Sequence, residues 1–83
     1  MQFYKEDLLM DVIERKKHSF RTYRRTIFQA FDLWEKAVLR GREEDSEDIM
    51  NWYQAMLDFP EQITEATTYQ DYPKLPERIK HYL

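Results

Sequence analysis

The stretch FRTYRRTIFQAFDLW, residues 20–34, decides the fold of this chain. Its apolar side chains return every three or four positions and the residues between them are mostly charged or polar, which is the pattern of an amphipathic α-helix. No glycine or proline occurs between residues 5 and 40. The pattern therefore predicts one long helix over residues 1–40. Its apolar stripe consists of Leu9, Val12, Ile13, Phe20, Tyr23, Ile27, Ala30, Phe31, Trp34, Ala37 and Val38.

Part of this stripe follows a seven-residue repeat, since Ile13, Phe20, Ile27 and Trp34 are spaced by seven. Such spacing is typical of coiled coils. Aromatic side chains and the basic residues around Lys16 nevertheless fit poorly into a regular two-stranded coiled coil. We therefore favour a helical hairpin over an extended coiled coil, and we expect copies of the chain to associate through the stripe.

The long helix either continues or bends, and if it divides we expect the division near Ser19 and Thr22, where the apolar stripe is thinnest. Gly41 suits the left-handed position that follows a helix C-terminus, so the helix should end there. The acidic run over residues 43–48 favours a new helix start, with Asp45 or Ser46 as the capping residue.

A second amphipathic helix is predicted over residues 46–59, ending before Pro60. Because the loop between the helices is short, they should pack antiparallel. The residues expected to form the hairpin core, or the stripe through which copies associate, are Ile13, Phe20, Ile27, Phe31, Trp34, Ile49, Trp52, Tyr53, Met56 and Leu57.

Residues 60–83 form a C-terminal segment that is rich in threonine and proline and in which the apolar residues no longer recur at helical spacing. An extended stretch over residues 64–75 and a short final helix opened by Pro76 are predicted. With 83 residues, of which 42% are hydrophobic and 35% charged, the chain suits one folded domain over residues 1–83. The fold class is all-α.

The residue types needed for common chemistries are missing. Cysteine is absent, which excludes disulfides and thiolate metal sites, and the histidines His18 and His81 lie far apart in sequence. Ser19 and Ser46 are not flanked by glycine, as a nucleophile at a tight turn would be, and a single glycine cannot form a phosphate-binding loop. We expect no catalytic residue, no metal site and no cofactor, and therefore no enzyme activity.

Charge is distributed unevenly although the net charge is only −3. Basic residues concentrate between 15 and 25, and acidic residues between 43 and 48. The negative net charge makes nucleic acid an unfavoured partner for the basic cluster, and an acidic protein surface suits it better. Tyrosines on the loosely structured C-terminal segment can also contact a partner. The residues predicted to bind a protein partner are Arg15, Arg21, Arg24, Arg25, Tyr69, Tyr72 and Tyr82.

No targeting signal is recognisable at the N-terminus, and the apolar runs are far shorter than the ~20 residues that span a bilayer. We therefore expect a soluble protein made in the cytoplasm, without membrane contact, that a partner can carry to another place.

Three segments carry a family resemblance: YRRTIFQAFDLWEK (23–36), IMNWYQAMLD (49–58) and LPERIKHYL (75–83). Over residues 20–83 the chain resembles small proteins of phages and prophages of Gram-positive bacteria, encoded in the tail and host-lysis region, and more distantly tail assembly proteins. The resemblance implies a structural or assembly role in the host cytoplasm or in association with the virion, with Trp52, Tyr53, Leu57 and Ile79 in the core. It brings no catalytic residue.

Three functions remain open at this point. The first is a non-enzymatic structural or assembly protein of the phage tail module. The second is a phage-encoded inhibitor or regulator that binds a host protein, such as a defence nuclease, through its acidic loop. The third is nucleic-acid binding by the basic helix face.

Overall fold

The computed structural model describes the backbone of residues 5–83 and the side chains of residues 11–83. Three α-helices follow one another: α1 (Lys5–Leu39), α2 (Glu47–Asp58) and α3 (Glu77–Lys80). Short 3₁₀ helices lie between α2 and α3, at Phe59–Gln62 and Tyr69–Asp71. No strand occurs in residues 5–83, so the predicted all-α class is confirmed.

Helix α1 is unbroken from Lys5 to Leu39, so of the two alternatives left open by the sequence the continuous helix is the one observed, and no division occurs near Ser19 and Thr22. The Thr22 hydroxyl donates to the carbonyl of His18, one turn earlier in α1, at 3.0 Å, so its hydrogen bond is made inside the helix. Phe20 beside it is fully buried and anchors this part of α1. The predicted start at residue 1 and the side chain of Leu9 lie outside the described residues.

Helix α1 ends at Leu39, and Gly41 takes the left-handed position just past the helix, as predicted. Gly41 has φ +73°, a conformation that only glycine adopts without strain. Its N–H donates to the carbonyl of Val38 at 3.0 Å, and the N–H of Arg42 donates to Ala37 at 2.8 Å. These two bonds form a Schellman motif, which pairs the last carbonyls of the helix.

Helix α2 begins after Ser46, one of the two predicted caps. The Ser46 hydroxyl accepts from the N–H of Ile49 at 3.3 Å, and Asp45 instead accepts from the N–H of Ser46 at 2.9 Å. Glu47 and Asp48 place negative charge in the first turn. The cap and the charges both favour a helix start here.

Helices α1 and α2 form an antiparallel hairpin, as the contacts between them show. The ring of Tyr53 stacks on Phe31 with centroids 4.2 Å apart, and Phe59, just after α2, packs on Phe20 at 4.9 Å. Contacts therefore move back along α1 as the chain advances through α2.

The C-terminal segment covers a second side of the α1 stripe. Tyr72 packs edge-on against Phe20 at 4.8 Å and lies 5.2 Å from Tyr23. Ile79 of α3 is fully buried, and Ile63 is buried at the start of the segment. Three parts of the chain thus contribute to the core: α1, α2 and the C-terminal segment. The buried core residues are Phe20, Ile27, Ala30, Phe31, Trp34, Ile49, Trp52, Met56, Phe59, Ile63 and Ile79.

Three residues of the predicted core lie elsewhere. Leu57 is 40% exposed, so it is not part of the buried hairpin core. It shares a flank of α2 with Tyr53, whereas α1 and the C-terminal segment cover the flank that carries Trp52 and Met56. Ile13 and Tyr53 are half-buried and pack against the edge of the core.

The molecule is an elongated body of 60 × 18 × 16 Å. At about 1.5 Å per residue, the 35 residues of α1 account for nearly all of its length. Because α2 has only 12 residues, the hairpin covers only part of α1, and the C-terminal segment extends the covered part toward Ile13 and Lys16.

Trp34 tests the core directly, because it is among the largest fully buried side chains. We expect Trp34→Ala to lower the free energy of unfolding by about 3–5 kcal/mol, through lost apolar burial and a cavity. Urea denaturation measures the change. Leu39→Ala, on the same helix but 82% exposed, is the matched control and should stay within about 0.5 kcal/mol of the parent. Equal effects would show that Trp34 is not in the core.

Candidate interaction site

Some side chains of the predicted basic cluster bind other parts of the same chain, and the others lie exposed on the surface. Lys16 is internal: its Nζ donates to the carbonyl of Thr67 at 2.7 Å and also to that of Glu65. The two carbonyls belong to a turn closed by the Thr67 hydroxyl, which accepts from the N–H of Thr64 at 2.9 Å. Lys16 therefore fixes the start of the C-terminal segment on α1.

Arg24 is also internal, although the sequence placed it among the partner-binding residues. Its Nη1 donates to the carbonyl of Met56 at 3.3 Å and lies 3.5 Å from that of Leu57. The guanidinium lies over the rings of Phe20 and Phe28, at 5.7 and 5.6 Å from their centroids. Helix α2 has no basic residue in its last turn, so Arg24 supplies the positive charge that its C-terminus favours.

The remaining basic side chains of this region lie on the outside of α1. Arg15 pairs with Asp11 and Lys17 lies 3.9 Å from Glu14, each within one turn of the helix. Arg21 and Arg25 are exposed and have no ion-pair partner among the described residues. Two of the four arginines predicted to bind a partner, Arg21 and Arg25, thus remain uncommitted.

Two of the predicted tyrosines pack within the chain. Tyr72 contacts Phe20 and Tyr23, as described above, and burial beside Tyr72 raises the pKa of the Tyr23 hydroxyl above its usual value. The Tyr82 hydroxyl donates to Glu43 Oε1 at 3.1 Å. Burial raises the pKa of Tyr82, and the bond to the Glu43 carboxylate raises it further, because both favour the protonated hydroxyl.

Glu43 links the acidic loop to the C-terminus. Besides the bond from Tyr82, its Oε2 lies 3.7 Å from Nη1 of Arg78, on the first turn of α3. The other acidic side chains of this loop and of the start of α2 are exposed and make no ion pair within the described part of the chain. They are Glu44, Asp45, Glu47 and Asp48.

Tyr69 is the predicted tyrosine that remains available, with 75% of its surface exposed. It begins a 3₁₀ turn whose N-cap residue, Thr68, forms a capping box with Asp71. The Asp71 carboxylate accepts from the N–H of Thr68 at 2.8 Å, and the Thr68 hydroxyl accepts from the N–H of Gln70 at 3.3 Å. This capping box fixes the backbone that carries the exposed ring.

Two shallow grooves meet at Tyr69. One, of about 370 Å³, has walls from Lys16, Ser19, Ile63 and the turn at residues 67–69. The other, of about 400 Å³, is formed by Tyr23 and residues 72–75. We call this surface, the Tyr69 ring with the two grooves, the tyrosine patch.

The tyrosine patch and the free arginines lie on opposite sides of α1. Ser19 and Tyr23 border the patch, and Arg21 and Arg25 follow them by two residues, which is a rotation of about 200° around the helix. The structure therefore does not join the predicted partner-binding residues into one surface. It leaves two separate surfaces.

The described part of the chain contains no group of three histidine or acidic side chains placed to hold a metal ion. Within the same residues, no helix combines the length and the apolar character that crossing a membrane requires.

Comparison of the sequence and fold with protein-family models, curated proteins and solved structures finds no match.

Sequence reasoning missed the internal roles of Lys16, Arg24 and Glu43. Their partners lie 32 to 51 residues away in sequence, and no local pattern reports such contacts. One missed feature did have a local signal, since Thr68 and Asp71 have the spacing of a capping box.

Arg24 and Arg21 form a matched pair for testing this division. We expect Arg24→Ala to lower the free energy of unfolding by about 1–2 kcal/mol, because it removes hydrogen bonds to the last carbonyls of α2 and uncovers two rings. Arg21→Ala, on the exposed side of the same helix, should change it by less than about 0.5 kcal/mol. Urea denaturation of both variants gives the comparison, and equal effects would contradict the capping role of Arg24.

Proposed function

We propose that this chain is a non-enzymatic structural or assembly protein that acts through protein–protein contacts in the tail module of a phage. The tail assignment rests on the resemblance of residues 20–83 to small tail-module proteins. The proposed mode of action rests on the tyrosine patch.

The observation that carries the proposal is the exposure of Tyr69 on a fixed turn. Large aromatic side chains in such positions are enriched among the residues that dominate protein interfaces. Because the capping box already holds the turn, little conformational entropy is lost when a partner covers the ring. The grooves on either side offer apolar and threonine surfaces that a partner side chain can fill.

A second candidate function is inhibition of a host protein through charge mimicry. It is favoured by the exposed carboxylates of Glu44 and Asp45, in the loop that Glu43 holds, and of Glu47 and Asp48, in the first turn of α2. Regularly placed carboxylates of this kind complement a basic groove on a partner. Nucleic-acid binding is less favoured, because Lys16 and Arg24 are engaged within the chain.

Co-sedimentation with phage particles distinguishes these functions. A tagged chain is produced in a lysogen, the prophage is induced, and particles are separated on a density gradient. We expect the chain in the particle or assembly-intermediate fractions, and Tyr69→Ala should shift it to the soluble fraction. Leu83→Ala, which removes another exposed apolar side chain of the C-terminal segment, should leave it with the particles.

Other distributions would contradict the proposal. If the parent chain sediments only as a small soluble complex with one host protein, the inhibitor function replaces the structural one. If particle association persists in Tyr69→Ala, the contact lies outside the tyrosine patch.

A further inference from the structure

A second stripe runs along α1 on the side away from the tyrosine patch. Its spacings of four and three residues keep its members on one face of the helix. It consists of Arg21, Arg25, Phe28, Asp32, Glu35 and Leu39. Phe28 is half-buried and the other five residues are exposed. The stripe therefore begins basic, is aromatic near its centre, and becomes acidic and then apolar toward its end.

One flank of α2 continues this surface. Met50, Tyr53 and Leu57 are spaced by three and four residues, and Met50 and Leu57 are 42% and 40% exposed. Tyr53 contacts Phe28, with ring centroids 4.8 Å apart. Met50 lines a groove with Glu35 and Leu39. The second stripe and this flank form one continuous surface, which we call the seam surface.

The charges of the second stripe complement those of an antiparallel copy of itself. With a two-fold axis at the level of Ala30, Arg25 of one copy lies opposite Glu35 of the other, and Arg21 lies opposite Leu39. Phe28 lies opposite Asp32, whose carboxylate is neutralised by Lys36 at 3.1 Å. The ion pair between Arg25 and Glu35 therefore forms twice, once on each side of the axis.

Arg25 and Glu35 have no such partner among the described residues of their own chain. Arg25 and Glu35 are ten residues apart on a continuous helix, which separates them by about 15 Å along its axis. Neither residue makes an ion pair with any described residue. The coiled-coil repeat expected to join copies is unavailable, because Phe20, Ile27 and Trp34 are buried by the chain's own α2 and C-terminal segment.

We infer that the seam surface binds a second copy of this chain, as an antiparallel two-fold dimer. Residues 21–39 span about 27 Å and two adjacent helices about 20 Å, a footprint of roughly 500 Å² per copy. The total of roughly 1,000 Å² is at the lower limit of specific interfaces. The dimer is therefore reversible and depends on protein and salt concentration. This inference goes beyond the proposed function, because it uses the side of α1 that faces away from Tyr69.

The mass of the full chain in solution, measured by light scattering, gives the first test. Over a hundredfold concentration range up to about 1 mM in low-salt buffer, the mass should rise from that of a monomer to that of a dimer. Added salt should shift the transition to higher concentration, since the ion pairs lie at an exposed interface. A monomer at every concentration, or a discrete oligomer larger than a dimer, would overturn the inference.

Charge reversal tests the register of the dimer. Arg25→Glu and Glu35→Arg each place like charges opposite one another twice, and each should weaken dimerisation about tenfold or more. The double variant Arg25→Glu/Glu35→Arg restores both pairs in reverse, so its dimerisation should return. An equal mixture of the two single variants should also form a heterodimer. Failure of either recovery would overturn the antiparallel register.

Lys74→Glu is the matched control, because it makes the same change in net charge on the exposed C-terminal segment. It should leave dimerisation unchanged. If it weakens dimerisation as much as Arg25→Glu does, net charge rather than the seam surface controls association and the inference fails. Particle association, which depends on Tyr69, is measured separately, so failure of the dimer and failure of the proposed function are distinguishable.

Discussion

Burial of one aromatic stripe organises this molecule. A helix of 35 residues cannot hide its own apolar face, and Phe20, Ile27, Phe31 and Trp34 would face water if α1 were isolated. Helix α2 covers one side of the stripe and the C-terminal segment covers another. Because an 83-residue chain without cysteine has no disulfide to restrain it, its stability depends on keeping these three parts together.

Two basic side chains of α1 attach the covering parts to the stripe. Arg24 binds the last carbonyls of α2, and Lys16 binds carbonyls at the start of the C-terminal segment. Glu43 completes the arrangement by contacting Tyr82 and Arg78 near the C-terminus. Internal use of these charges leaves two separate surfaces exposed on opposite sides of α1. One presents Tyr69 on a capped turn, and the other presents a charged stripe that complements itself. A protein with two such surfaces can join copies of itself while binding a different partner.

The sequence was sufficient to predict the helices, and insufficient to predict how their side chains are used. The spacing of apolar residues, the helix end at Gly41 and the cap at Ser46 are local signals that each involve only a few neighbouring residues. Both long helices and the antiparallel hairpin could therefore be predicted. Leu57 follows the same period as the core but lies on a flank of α2 that is only partly covered, and period alone does not show which flank a neighbour occupies. Arg24 resembled a surface residue because its partners are 32 and 33 residues away. The sequence left open whether α1 divides near Ser19 and Thr22, because the packing of Phe20 between them on Phe59 and Tyr72 depends on residues far along the chain.

Hydrogen exchange of the backbone amides tests most directly whether the chain covers its own stripe. Measured at a concentration at which light scattering shows a monomer, exchange should be slowest in residues 20–34 of α1 and in α2, since these amides open only when the core does. We expect the amides of residues 20–34 and of α2 to exchange equally slowly at higher concentration, because each chain covers its own stripe. Protection of residues 20–34 that disappears on dilution would contradict the account, since it would show that another copy, rather than α2 and the C-terminal segment, covers the stripe.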